Sequence, residues 1–246
     1  MHAVHYLHKY RKSLATTSYQ SRGKSLIRCE LCQLTQDNCI CTLRVSLKSH
    51  VGFLLLMYDT EVLKPSNTGK LIADLIPDTF AFLWSRTCVE KALIDILNDQ
   101  QWQPYIVFPA EYVAPDQKVY HQKIDSSSDK KPLFIMLDGS WREAKKMFRK
   151  SPYLSDFPVL SIDPKTFIDE NYLSKYQLRT AEKSNQLCTA EVAAQALAIA
   201  GEVDNAEILD AWFDLYRQQY QKGVSQSDGG SDNALQHYLK LIEPYG

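Results

Sequence analysis

Two kinds of segment alternate along the chain, distinguished by where their apolar residues fall. Continuous apolar runs bounded by polar turns or proline are typical of strands buried on both faces. Five such runs predict strands, at residues 51–57, 80–84, 105–108, 133–137 and 157–162. Elsewhere apolar residues recur every three or four positions and predict helices, at residues 67–75, 88–97, 140–150, 190–200, 206–221 and 234–242. Strands alternating with amphipathic helices predict an α/β fold, with a mostly parallel sheet covered by helices on both faces.

The remaining segments are polar and predict connections. Residues 115–131 are mostly polar, and we predict a loop at 126–131. The Gly-, Ser- and Asp-rich residues 223–233 predict a linker. The longest apolar run, residues 51–58, is far shorter than the roughly 20 residues of a membrane helix. The N-terminus has no apolar stretch of the kind that directs export, so we expect a cytoplasmic protein without membrane contact.

Composition excludes several classes of protein. Apolar residues make up 45% of the chain and charged residues 23%, which are ordinary globular values and exclude disordered or fibrous proteins. No Gly-x-Gly-x-x-Gly motif and no Walker loop occurs, which weighs against dinucleotide and P-loop binding.

Charge is distributed unevenly, although the net charge is only −1. Residues 1–28 hold six Lys and Arg residues and no acid, so this arm carries +6 and the rest of the chain −7. Such an arm indicates an anionic partner such as RNA, DNA or phosphate, through Lys9, Arg11 and Lys12 among others; the alternative is a solvated, partly disordered tail.

Four of the six cysteines lie close together, as Cys29-x-x-Cys32 and Cys39-x-Cys41. Without an export signal, disulfides are not expected, and four thiolates within thirteen residues can converge on one tetrahedral Zn²⁺. A redox pair or reduced surface thiols are the alternatives. We expect two regions: a basic arm and cysteine-rich segment at 1–43, and an α/β domain at 44–246.

In open parallel sheets, ligands bind beyond the carboxyl ends of the strands. The strand at 133–137 is followed there by Asp138, Gly139, Ser140 and Trp141. The glycine allows close approach, and the helix start offers unpaired N–H groups to an anion. The alternative is that Asp138 or Ser140 only caps the helix.

The helix that follows has an unusual charge pattern. It holds five basic residues and one acid, with an apolar face opposite the basic one. A solvated helix usually mixes signs, so this helix indicates a polyphosphate partner. The candidate RNA contacts are Arg142, Lys145, Lys146 and Arg149.

Two further segments carry candidate polar groups. Glu61 and the run Ser66-Asn67-Thr68-Gly69 follow the first strand, where a carboxylate suits a ribose diol or an ammonium group; Ser66, Asn67 or Thr68 could also simply cap a helix. Thr189 and Glu191 begin an alanine-rich helix, which by itself indicates only tight packing.

Together these segments resemble the DTW domain family. The matching residues are the four cysteines, Glu61 with Ser66-Asn67-Thr68-Gly69, Asp138-Gly139-Ser140-Trp141-x-x-Ala144-x-x-Met147, and Arg179 with Thr189-x-Glu191. Ser140 stands where the family usually has threonine, and Tyr58-Asp59 stands where a His-Pro pair is common.

The resemblance implies a tRNA-uridine aminocarboxypropyltransferase with a SPOUT-like knotted core. Such an enzyme moves the 3-amino-3-carboxypropyl group of S-adenosylmethionine to N3 of a tRNA uridine and releases 5′-methylthioadenosine. It implies tRNA as partner. We expect the zinc to be structural, and no obligate protein partner is evident from the sequence. The residues expected to bind S-adenosylmethionine are Glu61, Asn67, Thr68, Gly69, Ser140, Trp141, Arg179, Thr189 and Glu191.

The reaction itself indicates one catalytic role. Displacement at a carbon next to a sulfonium already has a good leaving group, so positioning is the main task. Uridine N3 carries a proton, and Asp138 is the candidate base that removes it. The alternatives are a SPOUT-like RNA methyltransferase and a zinc-containing RNA-binding protein without catalysis.

Overall fold

The computed structural model describes residues 1–16, 26–121, 124, 129–162, 187–225 and 233–245. Within them, six strands form a single sheet in the order β2-β1-β5-β3-β6-β4, and every neighbouring pair is parallel. The strands are β1 (Gly52–Met57), β2 (Thr79–Leu83), β3 (Trp102–Val107), β4 (Val119–His121), β5 (Lys131–Asp138) and β6 (Val159–Ser161). The predicted α/β fold with a parallel sheet is confirmed.

The described helices flank this sheet. They are α1 (Ala3–Ser13), α2 (Gly69–Leu75), α3 (Lys91–Leu97), α4 (Trp141–Arg149), α5 (Thr189–Ile199), α6 (Val203–Ser225) and α7 (Asn233–Ile242). None of them is both long enough and apolar enough to cross a membrane.

The sheet has a core on each side, and β1 shows why. Every residue of β1 is buried, because successive side chains point to opposite faces and both faces are covered. Phe53, Leu55 and Met57 join the core formed with α1, α2, α5, α6, α7 and the cysteine segment. Leu54 and Leu56 join the core formed with α3 and α4. We call these the α2/α5 face and the α3/α4 face.

The turn between α5 and α6 holds these two long helices together. Gly201 has a φ of 88°, a left-handed conformation that glycine adopts at little cost. Its N–H donates to the Ala198 carbonyl at 3.0 Å, and the Glu202 N–H donates to Leu197 at 2.9 Å. This pair of bonds ends α5 in the Schellman manner. The Glu202 carboxylate then accepts the Ser49 hydroxyl at 2.8 Å and so joins the turn to the chain entering β1.

The basic arm is not a solvated tail, so that alternative was wrong for residues 3–13. These residues form α1, and Val4, His5 and Leu7 are buried against the α2/α5 face. The helix is anchored through His2, whose Nε2 lies 3.0 Å from Oδ1 of the buried Asp74 carboxylate. Few apolar residues in this stretch mark a helix, so packing rather than pattern reveals it.

Two predicted connections also contain regular structure. The polar stretch at 115–131 includes β4, a three-residue edge strand that pairs only with β6 in the described sheet. The predicted linker at 223–233 begins too early, since α6 continues to Ser225. Neither the short edge strand nor the last turn of α6 has a periodic pattern of apolar residues. Both predictions therefore failed for the same reason. The knotted core and the division at residue 43 stay predictions.

Candidate functional site at the carboxyl edge of the sheet

The carboxylate of Asp138 lies at the end of β5 and is only 3% exposed. Its Oδ2 accepts a hydrogen bond from the Asn67 side-chain amide at 2.6 Å, and its Oδ1 accepts one from the Thr189 hydroxyl at 2.7 Å. Its backbone carbonyl accepts the Tyr58 N–H at 2.8 Å. One strand end therefore gathers the loop before α2 and the first residue of α5. We call the group Glu61, Asn67, Asp138 and Thr189 the carboxylate cluster.

The loop before α2 is shaped to reach this carboxylate. The Asn67 Oδ1 accepts the Lys70 N–H at 3.2 Å, which orients the amide nitrogen toward Asp138. A Cβ on Gly69 would lie 2.6 Å from Oδ2 of Asp138, so only glycine leaves room for the carboxylate there. Thr68, between them, is buried. The sequence motif therefore reflects a close packing of α2 against the end of β5.

Glu61 brings a second buried carboxylate to the cluster and is 1% exposed. Its Oε2 lies 2.6 Å from the Lys64 ammonium, and its Oε1 lies 3.4 Å from the Asn67 amide nitrogen. The Asn67 amide thus faces both carboxylates. One lysine and one amide offset part of the negative charge, and the site as a whole suits a cationic or hydroxyl-bearing ligand.

The remaining predicted cofactor contacts have other partners. Glu191 is buried and accepts the Cys188 N–H at 2.7 Å, so it caps α5. The Ser140 hydroxyl and N–H both donate to Glu143, at 2.6 and 2.7 Å, and so cap α4. Trp141 belongs to the α3/α4 face and stacks on Phe108, with ring centroids 5.4 Å apart. Arg179 lies outside the described residues.

The structure brings the four clustered cysteines together. Their sulfur atoms all lie within 4.8 Å of one another, with Cys29–Cys41 at 3.6 Å and Cys32–Cys39 at 3.8 Å. A Zn–S bond of about 2.3 Å in a tetrahedron requires sulfur atoms roughly 3.8 Å apart. The spacing therefore fits one zinc ion, and four thiolates would leave no open coordination position.

The cysteine segment is part of the body of the protein. Cys32, Leu34 and Ile40 are buried in the α2/α5 core. A hydrogen bond from the Cys41 thiol lowers the pKa of Cys32 to about 5 and raises the pKa of Cys41 itself. The segment thus favours a thiolate at Cys32, which is the form that binds a metal.

Two lysines of α4, Lys145 and Lys146, lie over aromatic rings on the α3/α4 face of the sheet. The Lys146 ammonium is 5.4 Å from the centroid of the Tyr58 ring, 5.5 Å from that of Trp84 and 3.1 Å from the Tyr58 hydroxyl. The Lys145 ammonium is 5.6 Å from the Tyr112 centroid. Arg142 and Arg149, the other candidate RNA contacts, are exposed. The helix therefore presents its charge to solvent, as an RNA contact requires.

The C-terminal turn of α1 lies near the same strand end. Arg11 makes two hydrogen bonds to the Asp59 carboxylate, at 2.7 and 2.9 Å, so this residue is paired rather than free for phosphate. Lys9 and Lys12 are exposed. Because Asp59 adjoins Tyr58, the arm and α4 both flank the carboxyl end of β1.

Sequence reasoning missed several residues that the structure makes prominent. The strand-end rule does select Tyr58, which follows β1 directly, but its contact with Lys146 is visible only in the structure. His2, His5 and Asp74 lie close enough to hold a metal ion, and no sequence motif marks them. Arg44 already contacts the same Asp74 oxygen at 2.7 Å, however. We therefore interpret Asp74 as the partner of the Arg44 guanidinium, and its contact with His2 as a bond that holds α1 in place.

Comparison with known proteins agrees with the site. The family model described as the DTW domain matches residues 26–221, from the cysteine segment to α6. No solved structure matches the chain. The matched region contains the four cysteines, the carboxylate cluster and the basic helix. The chain therefore belongs to the DTW domain family, the tRNA aminocarboxypropyltransferase family, and has a tRNA-modifying function.

Proposed function

We propose that the protein transfers the 3-amino-3-carboxypropyl group of S-adenosylmethionine to N3 of a tRNA uridine. The observation that carries the proposal is the carboxylate cluster: three separate parts of the DTW match meet at Asp138 through hydrogen bonds of 2.6 and 2.7 Å. They lie at the carboxyl edge of a parallel sheet, where such folds bind their ligands.

The balance of the reaction defines what the protein must do. The bond between uridine N3 and the Cγ carbon of the cofactor forms, and the bond from that carbon to sulfur breaks. The sulfur leaves as the thioether of 5′-methylthioadenosine, and the N3 proton is released. When bound, S-adenosylmethionine supplies an activated carbon next to a sulfonium. The protein therefore has to align the two reactants and accept one proton.

The cluster has groups suited to both tasks. Glu61 can accept hydrogen bonds from an ammonium or a ribose diol, and Asn67, Thr68 and Thr189 add amide and hydroxyl groups beside it. Ser140, Trp141, Arg179 and Glu191 remain proposed cofactor contacts from the family resemblance. The Asn67 amide and the Thr189 hydroxyl donate to the two oxygens of Asp138 and fix the orientation of its carboxylate at the strand end. We assign to Asp138 the removal of the N3 proton.

The cysteine segment and the basic surfaces have supporting roles. Zinc bound by Cys29, Cys32, Cys39 and Cys41 would be structural, because thiolates fill its coordination shell. Lys9, Lys12 and the exposed side of α4 would contact tRNA phosphates, and Arg11 would hold the arm in place through Asp59.

Mass analysis of tRNA nucleosides tests the reaction. Purified protein, S-adenosylmethionine and unmodified tRNA should produce a uridine heavier by about 101 Da, whereas methyl transfer would add about 14 Da. Release of 5′-methylthioadenosine in equal amount should accompany the product. A gain of 14 Da, or unchanged nucleosides with intact, zinc-loaded protein, would contradict the proposal.

Asp138→Asn tests the role of the base. We expect the fold and cofactor binding to remain and turnover to fall by about 10²-fold or more. Higher pH should recover part of the rate if Asp138 removes the N3 proton, and should recover none if Asp138 only orients the uridine. Asp95→Asn, on the exposed side of α3, is the matched control and should leave turnover unchanged. Full activity of Asp138→Asn at neutral pH would remove this residue from the mechanism.

A further inference from the structure

An open cleft lies beside α4, on the α3/α4 face. Its volume is about 800 Å³, within the range of small-molecule sites. Its lining includes Tyr58, Phe108, Tyr112, Phe148, Arg142 and Arg149. None of the described residues predicted to bind the cofactor lines it, so it needs an explanation of its own.

One wall of the cleft is a set of packed aromatic rings. Phe108 and Phe148 stack with centroids 4.4 Å apart and planes 12° from parallel. Tyr112 packs against Phe108 at 5.7 Å, and Tyr112 is 39% exposed. The buried Phe108 ring helps to hold the tyrosine in place, and the accessible surface of Tyr112 offers a platform on which another flat ring can stack.

The charge of the cleft selects an anionic partner. Four cations line it against a single carboxylate, that of Glu143, which already accepts both donors of Ser140. Lys145 and Lys146 lie over the rings of Tyr112 and Tyr58. Aromatic platforms beside exposed cations are the features that proteins use to bind single-stranded nucleic acid, stacking the base and pairing the phosphate.

The cleft is separate from the carboxylate cluster but adjoins it. Side chains alternate along β5, so Asp138 points to the α2/α5 face with Met136, while Tyr58 and Phe108 belong to the other core. The Tyr58 N–H donates to the Asp138 carbonyl at 2.8 Å, so the two sites meet at one sheet edge. A nucleotide in the cleft would thus lie beside the sheet edge at which the proposed reaction takes place.

We propose that this cleft binds one unpaired nucleotide that flanks the modified uridine, with its base stacked on Tyr112 and its phosphate near Arg142 and Arg149. The identification of the neighbour as the modified uridine rests on the proposed function. Bases within a duplex are already stacked on one another, so a partly exposed aromatic ring selects a single-stranded part of the RNA.

Binding of hexauridylate to the purified, zinc-loaded protein tests the cleft directly. Tyr112→Ala should weaken binding about tenfold, because stacking on the ring is lost. Tyr112→Phe keeps the ring and should bind as the unchanged protein does. Tyr245→Ala removes a tyrosine of similar exposure, 42%, from the C-terminal end and is the control. Circular dichroism of each variant should confirm an unchanged fold.

Two results would overturn the cleft as a stacking site. One is hexauridylate binding by Tyr112→Ala that equals that of the unchanged protein. The other is an equal loss of affinity for hexauridylate and for a blunt RNA duplex, since a duplex has no base free to stack. The assay needs no cofactor, so it is independent of the reaction. Failure of uridine modification with Tyr112-dependent binding intact would contradict the proposed function and support the cleft.

Discussion

The two faces of the sheet meet solvent very differently at its carboxyl edge. On the α2/α5 face, Asp138 and Glu61 are almost completely buried. Asp138 accepts two hydrogen bonds of 2.6 and 2.7 Å, and Glu61 accepts one of 2.6 Å from Lys64. On the α3/α4 face, the cations of α4 are exposed or half-buried. Two of them, Lys145 and Lys146, lie 5.6 and 5.4 Å from the centroids of the Tyr112 and Tyr58 rings.

This difference matches two different tasks. Chemistry benefits from groups that are fixed in advance in a dry site, because little reorganisation is then needed during the reaction. Binding of a polyanion benefits from cations that remain close to water, because they exchange counterions for phosphates at small desolvation cost. The same sheet edge can serve both because the strand alternation sends neighbouring side chains to opposite faces.

Loss of the metal site should have the largest effect on stability. Among the described residues, the cysteine segment packs only against the α2/α5 face, so this face should be affected first. Cys39→Ser with Cys41→Ser removes two of four ligands from a segment buried in the α2/α5 core. Because metal binding energy is folding energy, we expect loss of zinc and a large fall in the melting temperature. Elemental analysis and calorimetry measure both.

Cys88→Ser is the matched control, since Cys88 is exposed and remote in sequence from the cluster. It should retain zinc and stability. Absence of zinc from the unchanged protein, or zinc retained by the double variant, would contradict the assignment.

Gly69→Ala should separate the two faces. The added Cβ would lie 2.6 Å from Asp138 Oδ2, and such overpacking costs about 1–3 kcal/mol of stability. We expect turnover to fall at least tenfold through displacement of the carboxylate, with hexauridylate binding unchanged. Gly201→Ala is the control. A Cβ there would meet no neighbouring atom, but alanine adopts the left-handed backbone of Gly201 only with strain. This variant should therefore lower stability and leave turnover unchanged.

Acid should weaken the attachment of α1 to the α2/α5 face. Burial, reinforced by His2 and Arg44, lowers the pKa of His5 from 6.5 to about 4, while Asp74 opposes the shift. Between these values the unfolded chain binds more protons than the folded chain, so stability rises with pH across this window. His5 should contribute at most roughly 1.4 kcal/mol of stability per pH unit in this window.

Denaturation in urea between pH 4 and 6.5 measures this contribution. His5→Gln should flatten the dependence of the unfolding free energy on pH, whereas His237→Gln, on the exposed side of α7, should not. Parallel pH profiles for His5→Gln and the unchanged protein would show that His5 titrates alike in both states.

Reversal of charge on α4 should have the smallest effect on the folded protein and act only on RNA binding. Lys145→Glu with Lys146→Glu should weaken tRNA binding and lower the slope of log affinity against log salt by roughly one per lost contact. Affinity for S-adenosylmethionine should be nearly unchanged. Titrations at several salt concentrations measure the slope.

The matched control reverses the charge of two lysines elsewhere on the surface. Lys91→Glu with Lys240→Glu changes two exposed lysines, on α3 and α7. If the control and the α4 variant lose tRNA affinity equally, the effect reflects net charge alone and the α4 surface has no special role.

Elements with strong local patterns could be predicted, and those stabilised from outside could not. The strands at 51–57 and 133–137 are continuous apolar runs, and both were confirmed within a residue or two. By contrast, α1 has few apolar residues and depends on Asp74 and the core beneath it. The three residues of β4 are a strand only because β6 lies beside them.

By itself, the sequence determined the fold class, the order of the central elements and the list of chemically capable residues. It also placed Asp138 and Glu61 at strand ends, because apolar periodicity and chain order carry that information. Only the tertiary structure decided that Asn67 and Thr189, 122 residues apart in number, share one carboxylate, and that Trp141 turns to the other face. Such contacts depend on how distant segments pack and on which side of the sheet each side chain emerges, and no local pattern specifies either.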